Sequence, residues 1–266
     1  MKTAVEHGAR RLVLGVGGSA TVDGGVGAMQ ALGIRFFDRR RKEIRMGGDG
    51  LTAIHSVDLS DFIWHGKRIE LTILADVTNP LLGPTGAAAV FGPQKGATPS
   101  MVRKLEQGLR RLDQIIVRMH GRSLRDIRSA GAAGGVVAGF IGILGNITGV
   151  RVRVVKGIDY VLEALNVASA MKQSDWVFTG EGQLDFQTAH GKTIEGVTRM
   201  ARRLKKPVMA FAGKVTLQPR EMKSLGLVGA FPIAPRPCTQ EESFVHADAW
   251  LRQTVADACR LLDLRS

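Results

Sequence analysis

The sequence contains few cysteines, few aromatic residues and no long uninterrupted apolar run. Its two cysteines, Cys238 and Cys259, cannot form a disulfide framework and lack the spacing of a zinc site. Aromatic residues make up 5%, which argues against the stacking surface used by proteins that bind single-stranded nucleic acid. The longest apolar stretch, residues 136–150, is interrupted by glycine, Asn146 and Thr148 and is too polar to span a bilayer. These features favour a cytoplasmic protein with no membrane partner.

Acidic residues are also in deficit, because 24 Asp and Glu face 37 Lys and Arg, which gives a formal net charge of +13. Such a charge is typical of proteins whose partners are anionic, among them nucleic acids, membranes and small charged substrates. The basic residues occur in short groups at 10–11, 39–42 and 202–206, each typical of a solvated turn or helix face. Because aromatic residues are scarce, we expect small anionic substrates as partners and no nucleic acid.

Glycine is abundant, with 33 residues, and much of it follows apolar runs. Residues 12–27, LVLGVGGSATVDGGVG, begin as a predicted buried strand and end in a predicted loop. Glycine lets the backbone approach a ligand closely, and hydroxyl and N–H groups donate to phosphate oxygens. The predicted binding residues of this loop are Gly17, Gly18, Ser19 and Thr21, and Asp23 is a candidate metal ligand.

A second stretch, residues 177–193, VFTGEGQLDFQTAHGKT, repeats this pattern of a strand followed by a polar glycine loop. Its last three residues match the end of a Walker A motif, but Phe186 stands where that motif requires glycine, so it is not a P-loop. Lys192 still lies at a predicted helix start, where free N–H groups and the helix dipole favour an anion.

Four carboxylates are predicted to follow apolar strands directly, in polar loops that contain glycine: Asp23, Asp76, Glu181 and Asp185. The ends of parallel strands are where open α/β sheets bind ligands. Phosphoryl transfer needs acids that hold Mg²⁺, an acid that orients or deprotonates the attacking hydroxyl, and cations that spread the phosphate charge. The pattern therefore points to phosphoryl transfer.

Two further loops offer polar groups. Gln94 and Lys95, in GPQKGA, could bind a carboxylate or a phosphate, or could form a tight turn with a solvated lysine. Asn79, in DVTNP, is either a ligand group or an Asx turn before Pro80.

The pattern of local signals predicts two α/β domains. The first half mixes glycine loops with a hairpin over residues 36–44, and Thr98 with Pro99 begins a helix that Gly121 ends. The small residues of 130–135, AGAAGG, predict a closely packed helix start. The second half alternates helix and strand, which predicts a parallel sheet. The predicted boundary lies near residues 150–157.

Four long motifs resemble the bacterial glycerate kinase type-1 family. They run in order over nearly the whole chain and are LGVGGSATVDGGVGAMQALG, ADVTNPLLGPTGAAAVFGPQKGATP, GAAGGVVAGF and VFTGEGQLDFQTAHGK. The resemblance implies ATP-dependent phosphorylation of D-glycerate, to 2- or 3-phosphoglycerate, in the cytoplasm. It also implies one Rossmann-like domain, split in sequence and here incomplete, and one inserted mixed α/β domain. Residues 1–155 would form mostly the inserted domain, and residues 156–266 the C-terminal part of the Rossmann-like domain.

The sequence departs from the family pattern in three ways. Family members begin with a further segment that this chain lacks, so we expect a chain truncated at its N-terminus. Val22 replaces a usual asparagine, and Phe186 replaces a usual small residue. The alternative function is therefore a catalytically impaired fragment that acts only as a binding module or as a homo-oligomer.

Residue chemistry and position in these motifs suggest the roles within a kinase. We expect Asp185 to be the catalytic base. Asp76 and Asp23 are expected to bind metal or substrate, and Glu181 is expected to be a second acid at the metal. The expected cofactors are ATP and Mg²⁺. The remaining predicted binding residues for substrate or phosphate are Gly17, Gly18, Ser19, Thr21, Asn79, Gln94, Lys95, Gln187, Thr188 and Lys192.

Overall fold

The computed structural model describes residues 1–185 and 192–263, with the side chains of Lys192 and Asp263 left aside. The chain forms two compact units, Met1–Gly157 and Ile158–Ser266. Within the described residues, no helix has both the length and the apolar character that crossing a membrane requires.

The first unit contains a three-stranded parallel sheet, a two-stranded antiparallel pair and several helices. Its strands are β1 (Arg11–Gly15), β2 (Arg35–Phe37), β3 (Ser56–Asp58), β4 (Ile69–Leu74) and β5 (Val150–Val155). Its helices are α1 (Lys2–Glu6), α2 (Val26–Ala31), α3 (Ala87–Phe91), α4 (Pro99–His120) and α5 (Ala132–Gly142), with short 3₁₀ turns at Gly48–Ala53, Pro93–Lys95 and Leu144–Asn146.

The parallel sheet has the strand order β1-β4-β5. Gly15 pairs with Leu74, and Leu74 pairs with Val155, so the three strands end level with one another. Leu71 and Ile73 on β4 are fully buried in the core of this unit. Because parallel strands deliver their following loops to one edge, the residues after Gly15, Leu74 and Val155 are brought side by side.

The long helix α4 begins and ends where the sequence predicts. The Thr98 hydroxyl accepts the N–H of Met101 at 3.3 Å, and Pro99 occupies the first turn. Gly121 adopts a left-handed conformation with φ 71°, which ends the helix. The apolar stripe of α4, which includes Leu109, Leu112 and Ile116, is buried.

The predicted hairpin over residues 36–44 forms only in part. Phe37 and Glu43 make a single antiparallel bridge, whereas β2 pairs along its length with β3. Strand β3 could not be predicted from its sequence, because a pattern of three residues is too short to distinguish a strand from a loop.

The second unit contains a parallel sheet of order β6-β7-β8. Its strands are β6 (Val177–Leu184), β7 (Val208–Val215) and β8 (Gly229–Pro232), and its helices are α6 (Gly157–Ala164), α7 (Val167–Gln173), α8 (Lys192–Arg203), α9 (Pro219–Leu225) and α10 (Gln240–Asp263). The prediction of alternating helices and parallel strands is confirmed for this half of the chain. Leu184, Ile194 and Ala201 are fully buried in its core.

Candidate active site

Lys95 is anchored to the glycine loop that follows β1. Its Nζ donates to the Ser19 hydroxyl at 2.9 Å and to the Thr21 carbonyl at 2.6 Å. Burial lowers the pKa of Lys95, while the negative charge of Asp23 acts in the opposite direction. A partly desolvated ammonium beside a hydroxyl and a glycine loop is suited to a carboxylate or phosphate. The structure thus brings together two stretches that the sequence analysis singled out separately.

Asp23 shapes the same loop from inside. It is 5% exposed, and its two carboxylate oxygens accept the N–H groups of Gly25 at 3.0 Å and Gly27 at 3.1 Å. Gly24 and Gly25 have φ values of 61° and 74°, a left-handed turn that glycine adopts without strain. Asp23 therefore closes the turn into α2, and its charge lies close enough to influence Lys95.

The outer part of the loop is open to solvent. Gly17, Gly18 and Thr21 are exposed, and a Cβ at either glycine would meet no atom within 4 Å. A ligand can therefore approach the backbone of this segment closely.

The loop packs against the glycine-rich start of α5. The Gly24 N–H donates to the Gly134 carbonyl at 3.0 Å, and a Cβ at Gly134 would lie 2.1 Å from the Thr21 carbonyl oxygen. Ala133, Gly134 and Gly135 all have positive φ, so the predicted helix start is instead a left-handed turn. The prediction that AGAAGG serves close packing is confirmed, since no side chain fits at Gly134.

Asp76 connects the ends of β4 and β5. Its Oδ1 accepts the Gly157 N–H at 2.8 Å. Gly157 was not among the predicted site residues, although it follows an apolar strand just as Asp76 does. The carboxylate lies at the same sheet edge as the loop after β1, because the strands end level.

The other predicted groups of the first unit occupy different settings. The Asn79 side-chain amide donates to the Thr85 carbonyl at 2.9 Å, so it closes its own loop. Gln94 is exposed beside Lys95.

In the second unit, Glu181 lies inside β6, so the prediction that it follows the strand is wrong. Both flanking glycines lie within the strand, because its parallel pairing with β7 includes Gly180 and Glu181 and continues at Gln183 and Leu184. The Glu181 Oε2 is buried and has no hydrogen-bond partner within residues 1–185 and 192–263, and burial raises the pKa of this carboxyl.

Asp185 follows β6 directly, as predicted, and accepts a hydrogen bond from the Gln183 side chain at 2.7 Å. Lys192 is the first residue of α8. Gln187 and Thr188 lie outside the described residues.

Across residues 1–185 and 192–263, no three His, Cys, Asp or Glu side chains cluster in a way that could hold a metal ion. Mg²⁺ in phosphoryl transfer, however, is commonly bound by one or two carboxylates together with substrate phosphates. Within the second unit, the buried Glu181 Oε2 has no hydrogen-bond partner among the described residues and is suited to such a contact; the Asp76 carboxylate of the first unit is a separate candidate.

Comparison with known proteins identifies the family. The profile described as "Glycerate kinase family" matches residues 1–263. The glycerate kinase of Bacillus subtilis (strain 168) is 39% identical over 261 residues, which cover 98% of this chain and 67% of that protein. The glycerate 2-kinase of Escherichia coli (strain K12) is 36% identical over 241 residues, which cover 91% of this chain and 62% of that protein.

A solved structure is similar over the same range. The crystal structure assigned to a glycerate kinase 2 from Salmonella typhimurium LT2 gives a TM-score of 0.82 at 37% identity, covering 99% of this chain and 67% of that chain. This chain thus spans about two thirds of the length of these relatives. The predicted two-domain α/β fold and the resemblance seen in the four motifs are confirmed, and the chain belongs to the glycerate kinase family.

Proposed function

We propose that this chain phosphorylates D-glycerate with ATP as the phosphate donor and yields phosphoglycerate. Family membership supports the reaction, and one structural observation supports the assignment of substrate binding to particular residues. Lys95 is fixed to Ser19 and Thr21 in a loop that presents exposed glycine backbone at the edge of a parallel sheet.

The first unit supplies the anion-binding groups in this proposal. Lys95 and the Ser19 hydroxyl bind a carboxylate or phosphate oxygen, with the exposed N–H groups of Gly17 and Gly18 close by. Asp23 holds the loop in shape through Gly25 and Gly27 and offsets the charge of Lys95 when no anion is bound.

Two flanking groups have separate roles. Asn79 keeps the following loop closed, and Gln94 is free to reach the substrate.

Asp185 is the proposed general base. It accepts the proton of the attacking hydroxyl as that oxygen bonds to the γ-phosphorus and the bond to the ADP oxygen breaks. Gln183 donates to Asp185 Oδ2 and orients the carboxylate for this step. Gln187, Thr188 and Lys192 remain predicted phosphate-binding residues.

Asp76 in the first unit and Glu181 in the second are each proposed as a carboxylate ligand for Mg²⁺. When bound, Mg²⁺ neutralises charge on the transferring phosphate. Glu181 is suited to this role because, in the part of the chain that the structure describes, its buried Oε2 has no hydrogen-bond partner that a cation would have to displace. A cytoplasmic location, which the low cysteine content favours, is part of the proposal.

The product assignment follows the relative from Escherichia coli, which is named a glycerate 2-kinase. We infer 2-phosphoglycerate as the product. Phosphorus NMR of the reaction mixture distinguishes the 2-phosphate from the 3-phosphate directly.

The test measures ATP consumption in the presence of D-glycerate, of L-glycerate or of no acceptor. It is carried out on this chain and on the longest protein that its open reading frame encodes. We expect phosphate transfer to D-glycerate in at least the longer product. Failure of both proteins to transfer phosphate would overturn the proposal. Binding of D-glycerate without turnover would instead support the binding-module alternative.

A further inference from the structure

An open cleft of about 490 Å³ lies where the turn after β2, the 3₁₀ turn 48–53 and α4 meet. Arg39, Arg40 and Arg111 line it, and Arg118 adjoins it on the same helix; these residues form the arginine cleft. Because an α-helix rises about 1.5 Å per residue, Arg111 lies about 18 Å along α4 from the end that follows Lys95. The cleft is therefore separate from the glycine loop.

Backbone carbonyls hold two of these guanidinium groups side by side. Arg111 Nε donates to the Ile54 carbonyl at 2.6 Å, and Arg118 Nη1 donates to the adjacent His55 carbonyl at 3.4 Å. Residues seven apart lie on one face of an α-helix, so α4 presents both side chains in the same direction. Arg111 Nη1 also donates to Gln114 Oε1 at 3.3 Å, and among the described residues the other N–H groups of the two guanidinium groups have no hydrogen-bond partner.

The arginine cleft keeps a net positive charge, because its four arginines outnumber the one carboxylate that lines it, Asp38. Within the described parts of the chain, none of these four arginines takes part in a salt bridge. Asp38 also lines the cleft and offsets one of these charges; its Oδ1 accepts the backbone N–H groups of Arg40 at 2.8 Å and Lys42 at 2.9 Å. Burial, and then the charges of Arg118 and Arg39, lower the pKa of Arg111, which is consistent with crowded cations.

We propose that the arginine cleft binds a small polyanion that carries linked phosphate groups. A planar guanidinium group can donate two parallel hydrogen bonds to a pair of phosphate oxygens. Several guanidinium groups around one cleft therefore favour a diphosphate over an anion with a single charge. Among the described residues that line the cleft none is aromatic, so it offers no stacking surface for the bases of a single-stranded nucleic acid.

The test is calorimetric titration with inorganic pyrophosphate at an ionic strength of about 0.15 M. The double variant Arg39→Gln, Arg118→Gln removes two exposed guanidinium groups and should weaken binding by about tenfold or more. The matched control Arg103→Gln removes an equally exposed charge from the same helix and should bind as the parent does. The Lys95→Met variant should still bind pyrophosphate at the arginine cleft, because this substitution removes only binding that the glycine loop contributes.

Parent-like binding in the double variant, or loss of all binding in Lys95→Met, would overturn the proposal. So would the absence of binding at millimolar pyrophosphate. Tighter binding of a short DNA duplex that the double variant abolishes would assign the cleft to nucleic acid instead and would equally overturn it.

Discussion

The Lys95 ammonium donates to the Ser19 hydroxyl at 2.9 Å, although the two residues are 76 positions apart in sequence. This contact fixes the turn before α4 to the loop after β1. It also places the cation where the loop exposes its backbone, which is why we propose that the loop and the lysine bind an anion together.

Lys95→Met should lower kcat/KM for glycerate phosphorylation by about 100-fold, because one preorganised donor to a charged oxygen contributes on that scale. Steady-state kinetics in the active form of the protein provide the measurement. Lys223→Met removes an exposed charge of the same length on α9 and should leave the rate unchanged. Equal rates in both variants would remove Lys95 from the site.

Asp76→Asn should abolish activity and leave the fold intact. The asparagine oxygen can still accept the Gly157 N–H, whereas it lacks the charge that Mg²⁺ requires. The melting temperature and the turnover are measured together, with exposed Asp126→Asn as the control. Turnover within about threefold of the parent would exclude a metal role for Asp76.

Glu181→Gln should make the protein more heat-stable at pH 7 and less active. Burial raises the pKa of Glu181 above its ordinary value of 4.5, so the folded state binds more protons than the unfolded state just above that pH. Stability therefore falls as the pH rises through the raised pKa, and glutamine escapes this loss.

Melting curves from pH 4 to pH 8 check the Glu181 prediction. The gain in melting temperature of Glu181→Gln over the parent should be largest at pH 8 and should shrink towards pH 4, where the parent carboxyl is mostly protonated in both states. Exposed Glu163→Gln should show no such trend. A pH-independent difference for Glu181→Gln would contradict the burial argument.

Gly134→Ala should destabilise the protein by about 3 kcal/mol, because the added methyl meets the Thr21 carbonyl and the residue is strained at positive φ. Chemical denaturation measures the change. Gly145→Ala, whose Cβ would make ordinary contacts of 3.7 Å or more, is the matched control. If the two variants unfold alike, the loop does not depend on this close approach.

Local patterns in the sequence were sufficient to predict those elements whose formation depends on residues close together in the chain. The cap at Thr98, the apolar stripe of α4 and the stop at Gly121 all lie within one helix, so short-range rules predicted its limits. The apolar strand before Asp76 and the glycine loop around Asp23 were predicted for the same reason. The four motifs were also sufficient to predict the family, because a long match of motifs in the same order can be recognised without knowing which residues are in contact.

Only the tertiary structure decided how these pieces meet. Glu181 was expected in a loop, since glycines at 180 and 182 usually interrupt strands, but pairing with β7 keeps the segment extended. β3 exists because β2 needs a partner for its backbone groups, and no local signal marks it. The Lys95–Ser19 contact and the paired carbonyls beneath Arg111 and Arg118 likewise join distant segments. Backbone pairing and packing select such contacts from across the chain, which a pattern read along the sequence cannot do.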